Sequence, residues 1–332
     1  MNKSNLIAIA VASCPPIGGQ AVMDGVMMRN GDMYGLAVRL ANGEIYAQRL
    51  PWKTCLRRSW LKTPFIRGFP ILLETLINGI HAINRSVAIS EGEKPADTGA
   101  LSLLSSFILA ILMAIGLFVA APHFLSLLMH VFNLGGDVEG LSFHLWDGFY
   151  KCAIFIGYIW LISFVPDIRR VFEYHGAEHK TIHAWETGEA LDAGHAFAMS
   201  RLHPRCGTTF LLFVISISII LQALLLPLIL SLWTPATYIG KHVFSIMVKL
   251  ALVIPISAVA YELIRFAGTP SQGILAQALQ APGLALQRLT TREPSMAQIE
   301  VAIVALAEAL ESEEAENVLA TPYHHLPASL DA

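Results

Sequence analysis

Charge is scarce in this chain. Only 14% of its 332 residues are Asp, Glu, Lys or Arg, against 55% apolar residues and a mean hydropathy of +0.56. Soluble domains carry about 25% charged residues, so the shortage excludes an ordinary globular protein and predicts one that resides in a bilayer. Cysteine is sparse as well: positions 14, 55, 152 and 206 form no C-x-x-C pair, and no disulfide is expected on the reducing side of a membrane. The net charge of −3 comes with no concentrated basic stripe, which leaves no case for nucleic acid as a partner. The glycine-bearing stretch Gly18-Gly19-Gln20-Ala21-Val22-Met23-Asp24-Gly25 lacks the phosphate-loop spacing and its Lys-Ser/Thr ending, so nucleotide binding has little support. There is no internal repeat. The apolar run from Leu6 to Cys14 is far shorter than a spanning helix and is expected to stay on the mature chain.

Long apolar runs are what the chain has in quantity. Four windows, about 101–122, 147–166, 208–233 and 243–266, meet the length of roughly 17 to 25 residues that a spanning helix needs. Pro227 is expected to kink the third or end it early. Lys151, Lys249, Glu262 and Arg265 are among the charged exceptions within or beside these windows. Segment 1–100 carries eleven Lys and Arg, connection 123–146 none, and connection 167–207 five. By the positive-inside rule both termini and the 167–207 connection face the cytoplasm.

The fold class expected is an all-α polytopic membrane protein of about four transmembrane helices, with a small β-containing N-terminal cytoplasmic unit and an amphipathic C-terminal helix. Residues 1–63 form the N-terminal unit, with Leu36 to Leu40 and Ile45 to Leu50 flanking the turn pair Asn42-Gly43. Residues 64–100 supply an amphipathic helix, in the interface or under the bundle, and a linker. Residues 101–267 hold the spans and the His-rich connection, and 268–332 a cytoplasmic helical tail broken at Pro270, Gly273 and Pro282-Gly283. Within the tail, 295–315 reads as a helix with Ile299, Ile303, Leu306 and Leu310 on one face. That stripe either packs on the cytoplasmic unit or docks a protein partner or a second copy of the chain.

The chemistry is concentrated in the polar 167–207 connection. His175 and His179 of the run H-G-A-E-H are one helical turn apart and share a face, so both imidazoles can converge on one ion beside Glu178. The order His-x-x-Glu-His is that of the inverted zincins, in which the histidines bind zinc and the carboxylate acts as base. His183 continues the same face. His203 and Cys206 have the i, i+3 spacing of a one-turn ligand pair, and imidazole with thiolate is a common zinc set. A divalent transition metal, zinc above others, is the expected cofactor. A carboxylate from elsewhere is expected to complete the set, with Glu262, Glu74 and Asp24 as candidates, and Gln20, Asp24 and Arg29 of the glycine-bearing stretch are expected to line the same cavity as the histidines. The competing readings are an ordinary polar ladder on an interfacial helix, a Glu262–Arg265 salt bridge, and a Cys206 nucleophile activated by histidine.

Four ordered blocks carry a resemblance. Gly18-Gly19-Gln20-Ala21-Val22-Met23-Asp24-Gly25-Val26-Met27-Met28-Arg29, then Glu173-Tyr174-His175-Gly176-Ala177-Glu178-His179-Lys180-Thr181, then His203-Pro204-Arg205-Cys206-Gly207-Thr208, and finally Pro282-Gly283-Leu284 with Leu289-Thr290-Thr291-Arg292-Glu293-Pro294 resemble the YqhQ family. That is a group of bacterial membrane proteins of unknown function, often labelled as metal-dependent enzymes. The resemblance implies a bacterial inner-membrane protein with a metal site and supplies no substrate. Asp24 departs from the family pattern, which has Glu there.

Two functions follow as expectations. One is a metal-dependent hydrolase at the cytoplasmic face, acting on a lipid-linked or membrane-adjacent substrate, with Glu178 as base. The other is a non-enzymatic scaffold or transporter component whose polar block serves docking or gating.

Overall fold

The computed structural model describes residues 17–54, 58–92, 100–188, 191–267 and 273–310. Cys14, Cys55 and the tail beyond 310 lie outside these residues. Four antiparallel strands, β1 (Gly18–Val22), β2 (Gly25–Asn30), β3 (Met33–Arg39) and β4 (Ile45–Pro51), pair in sequence order. The first hairpin turns at Met23-Asp24, with Val22 opposite Gly25 and Asp24 at a φ of +50°, a left-handed conformation that Asp tolerates better than most residues. The β3–β4 connection contains Asn42-Gly43, as expected, but as a five-residue loop between Arg39 and Ile45.

Period-2 alternation sends the two faces of this sheet into different cores. Met27, Tyr34, Leu36, Val38, Tyr46 and Trp52 pack against Ala82 and Ile89 of α1 (Gly68–Ser90). Val26, Met28 and Ala37 face the other way, toward α5 (Pro166–Glu186) and α11 (Met296–Ala309). The helix α11 is wedged between sheet and α5, which buries it on nearly every side. Its residues Ile299, Ile303 and Leu306, with Leu310 just after it, lie in that core. A capping box, Ser295 with Gln298, starts it. The helix and sheet approach closely at Gly35, where a Cβ would sit 2.2 Å from the Ala305 carbonyl oxygen.

Among the described residues, four helical stretches are long and apolar enough to cross a membrane: Leu104–Val131, Leu141–Ile162, Thr209–Leu232 and Tyr238–Phe266. The first comprises α2 (Ala100–Ile115), a π turn over Gly116–Ala120 and α3 (Ala121–Val131). It runs well past the expected end at 122, because Pro122 stands at the start of α3, where a missing N–H costs least, just after the widened turn. The second stretch is α4 (Leu141–Ile162), the third belongs to α7 (Gly207–Leu232), and the fourth joins α8 (Tyr238–Ala251) to α9 (Val253–Ala267). Pro227 does not end α7, which continues to Leu232.

Two further expectations are corrected. Pro282-Gly283 does not break the helix there: α10 (Ile274–Thr290) runs through it. Packing on α7 holds it, since a Cβ on Gly283 would meet Thr209 Cγ2 at 2.4 Å. Glu262 pairs with Arg67 at the head of α1, at 2.6 Å, in place of Arg265.

Candidate metal centre

The helix α5 begins with Pro166 at its first turn, a position where proline is preorganised for helix, and its middle is sunk between β1, α11 and the segment after α10. Two glycines allow that depth. A Cβ on Gly176 would lie 2.0 Å from the Arg292 carbonyl oxygen, and one on Gly19 would lie 2.7 Å from Glu178 Cγ. His175, Glu178 and His179 are all buried as a result.

Both histidines spend the same nitrogen on backbone. His175 Nδ1–H donates to the Thr290 carbonyl at 2.8 Å, and His179 Nδ1–H donates to the Arg201 carbonyl at 2.6 Å. Such bonds select the tautomer that leaves Nε2 with a lone pair, the usual support for a metal-binding imidazole. His175 Nε2 then lies 3.2 Å from Cys206 Sγ, and the two rings are 4.4 Å apart between centroids. One ligand atom from each of His175, His179 and Cys206 falls within 4.8 Å of the others.

The polar accounting points to a missing partner. His179 Nε2 and Glu178 Oε2 are buried without a hydrogen bond, which is costly unless something else satisfies them. Burial lowers the pKa of His179, keeping it neutral. Burial also pushes Glu178 up to about 8, against the opposing influence of His175. A divalent cation among these atoms would meet both needs. Two imidazoles and a thiolate suit zinc, and three protein ligands leave a coordination position open.

The remaining candidates lie outside the three-ligand group. His203 lines the same cavity, its ring 5.8 Å from that of His179 between centroids, but its backbone N–H donates to Gln287 Oε1 at 2.8 Å and its Nε2 faces Glu186 at 3.3 Å. Burial lowers its pKa to about 4. His183 stacks near it, 4.5 Å between centroids, with Nδ1 on the Ser200 carbonyl. Neither is in the three-ligand group. Glu74 accepts from Thr54 Oγ1 at 2.7 Å and from Trp52 Nε1 at 3.4 Å. Asp24 faces Arg170 at 3.4 Å in a separate hollow shared with Arg39 and Tyr174. Among the described residues, Cys152 and Cys206 are not joined to each other by a disulfide.

Beside the group lies a cavity of about 200 Å³, lined among others by Gly19, Gln20, Arg29, Trp52, Glu178, His179, Arg205 and Cys206. The backbone carbonyls of Thr290 and Arg201 carry no side-chain signal and were not legible as partners. Gln20 and Arg29 line it as the sequence suggested, Asp24 does not, and Trp52, legible only as a residue of a β-rich unit, is made a wall of the site by the tertiary fold.

The profile of a family described as "Protein of unknown function (DUF1385)" matches residues 63–312. The chain is 31% identical over 327 residues to a Bacillus subtilis protein named "Uncharacterized protein YqhQ", covering 94% of this chain and 98% of that one. No solved structure matches.

Proposed function

The chain belongs to the DUF1385 family, and on that premise we propose that it is a metal-dependent hydrolase of a bacterial cytoplasmic membrane, working at the cytoplasmic face. One observation carries the reading. Two histidines a turn apart each give Nδ1–H to a backbone carbonyl, His175 sets Nε2 3.2 Å from a buried thiol, and one ligand atom of each of the three residues falls within 4.8 Å of the others. Unsupported interfacial histidines have no reason to share that arrangement.

The roles follow from position. His175, His179 and Cys206 would hold the cation, zinc by the chemistry of the donors. When bound, such a cation supplies Lewis acidity to a carbonyl or phosphoryl oxygen and makes water a stronger acid. Glu178 lines the same cavity and is the carboxylate placed to take a proton from water. Thr290 and Arg201 orient the imidazoles through their carbonyl oxygens. The sheet and α11 exclude water from behind. His203, bonded to Gln287 and Glu186, positions the 203–206 turn that delivers Cys206.

The excess of Lys and Arg in 1–100 and 167–207 supports placing the site and both termini on the cytoplasmic side. A lipid-linked or membrane-adjacent substrate fits a cavity that reaches Gly207, at the start of a spanning helix. A second reading, a transporter component, draws on the charged network Asp147, Lys151 and Lys249 buried among the spans.

The deciding experiment is elemental analysis by plasma mass spectrometry of detergent-purified protein, wild type beside His175→Ala/His179→Ala. Near-stoichiometric zinc that the double variant loses is the expected result. Two empty preparations after zinc supplementation would end the metalloenzyme reading.

A further inference from the structure

The metal-centre reading leaves the charge of the substrate open, and the cavity wall bears on it. Arg29 on β2 and Arg205 just before α7 both line the cavity, with Glu178 the acidic residue among the described lining groups. Arg29 is held in place before any ligand arrives. Its guanidinium lies 3.9 Å over the Trp52 ring, and its Nε donates to the Gly31 carbonyl at 2.9 Å. A stacked, pinned guanidinium presents a rigid fork and loses little entropy when it grips a ligand.

Among the described residues Nε is the nitrogen of Arg29 that makes a hydrogen bond, which leaves the Nη donors for something in the cavity. Glu74, bonded to Trp52 and Thr54, offsets part of the charge from behind the indole. Burial still lowers the pKa of Arg29, outweighing Glu74 and Asp32. A cation held at such a cost is stabilised by an anion. The N-terminus of the 26-residue α7 reaches the same cavity at Gly207, and its partial positive charge favours an anion too. The buried acceptors Glu178 Oε2 and His179 Nε2, without hydrogen bonds in the same wall, mark the side of the cavity where a cation would sit.

We propose that the cavity binds a phosphate group, gripped by Arg29, beside the His175/His179/Cys206 group. A tetrahedral phosphate offers oxygens to Arg29, to the α7 N-terminus and to a cation at once, where a planar carboxylate offers two. The inference rests on the metal-centre reading for its third contact. The phosphate belongs either to a lipid headgroup or to a soluble ester.

The test uses purified full-length protein in neutral detergent, with zinc content measured first. Wild type, R29Q and R29K are titrated calorimetrically with inorganic phosphate and, separately, with short-chain phosphatidic acid. Wild type is expected to bind phosphate. R29Q should bind at least about tenfold more weakly with zinc content unchanged, the loss of one charge-assisted contact, and R29K should fall between. Tighter binding of the lipid assigns a headgroup, and equal or weaker binding assigns a soluble ester. A measurement on wild type alone guards against a misfolded variant: after EDTA treatment, inorganic phosphate should slow iodoacetamide alkylation of Cys206.

The proposal is overturned if wild type shows neither binding nor protection, or if R29Q binds as tightly as wild type. Zinc-loaded protein with that result loses this inference and keeps the metal reading. Zinc-free protein that binds phosphate through Arg29 loses the metal reading and keeps the anion site.

Discussion

His175 Nε2 and Cys206 Sγ lie 3.2 Å apart across 31 residues of chain. The thiol reaches the histidine because the 203–206 turn is tied down at its start, where Gln287 clamps His203 through both its backbone N–H and its carbonyl, at 2.8 and 2.7 Å.

The first prediction concerns which side chains bind metal. Cys206→Ala should abolish near-stoichiometric zinc, while His183→Ala should leave it intact, because His183 turns its Nδ1 to the Ser200 carbonyl, outside the ligand group. Zinc retained in Cys206→Ala would remove the thiolate from the ligand set.

Metal uptake should be pH-dependent with a definite sign. Binding needs the Cys206 thiolate, and a thiol ordinarily titrates near pH 8.5, so each pH unit below that should weaken affinity about tenfold. Burial lowers the pKa of His179, so its proton competes only further into acid. In Cys206→Ser the slope below about pH 8 should become shallower, leaving the proton of Glu178, which burial pushes up to about 8. Competition with a chromogenic chelator measures it, and a wild-type slope near zero would contradict it.

Gly176→Ala should damage the fold. Its Cβ would sit 2.0 Å from the Arg292 carbonyl oxygen, and α5 must move away from the 290–294 segment. A loss of about 1–3 kcal/mol is expected from such overpacking, with zinc affinity falling because the Thr290 bond to His175 belongs to the same contact. Thermal unfolding in detergent reads the first effect. A stability equal to wild type would mean the contact is loose.

Within the spans, Lys249 and Asp147 should be coupled. Both are buried, and Lys249 Nζ donates to Asp147 Oδ1 and faces His123 Nδ1 at 3.1 Å. Lys249→Met leaves the carboxylate with Lys151 at 3.4 Å, and removing one partner of a buried pair typically costs about 3–5 kcal/mol. The double variant Asp147→Asn/Lys249→Met should recover part of that loss. Additive losses in a double-mutant cycle would show that the pair is not coupled.

Composition and periodicity by themselves determined the membrane class, the four spans, the β-bearing N-terminal unit and the shared face of His175 and His179. These are one-dimensional properties: run length is set against bilayer thickness, and i, i+4 spacing against the helical turn. Helix ends were less legible, because Pro122, Pro227 and Pro282 act through the turns and neighbours around them. The hairpin of β1 and β2 was hidden in a glycine-bearing block whose apolar residues face two cores. Only tertiary structure decided that Cys206 joins the two histidines while His203 turns to Glu186, and that Trp52 stands beside Arg29 in the cavity wall. Local spacing made His203 and Cys206 look like one pair. Distant segments packing at Gly19, Gly176 and Gln287 bring the thiol to the histidines while the His203 ring faces Glu186, and no local pattern encodes where such surfaces meet.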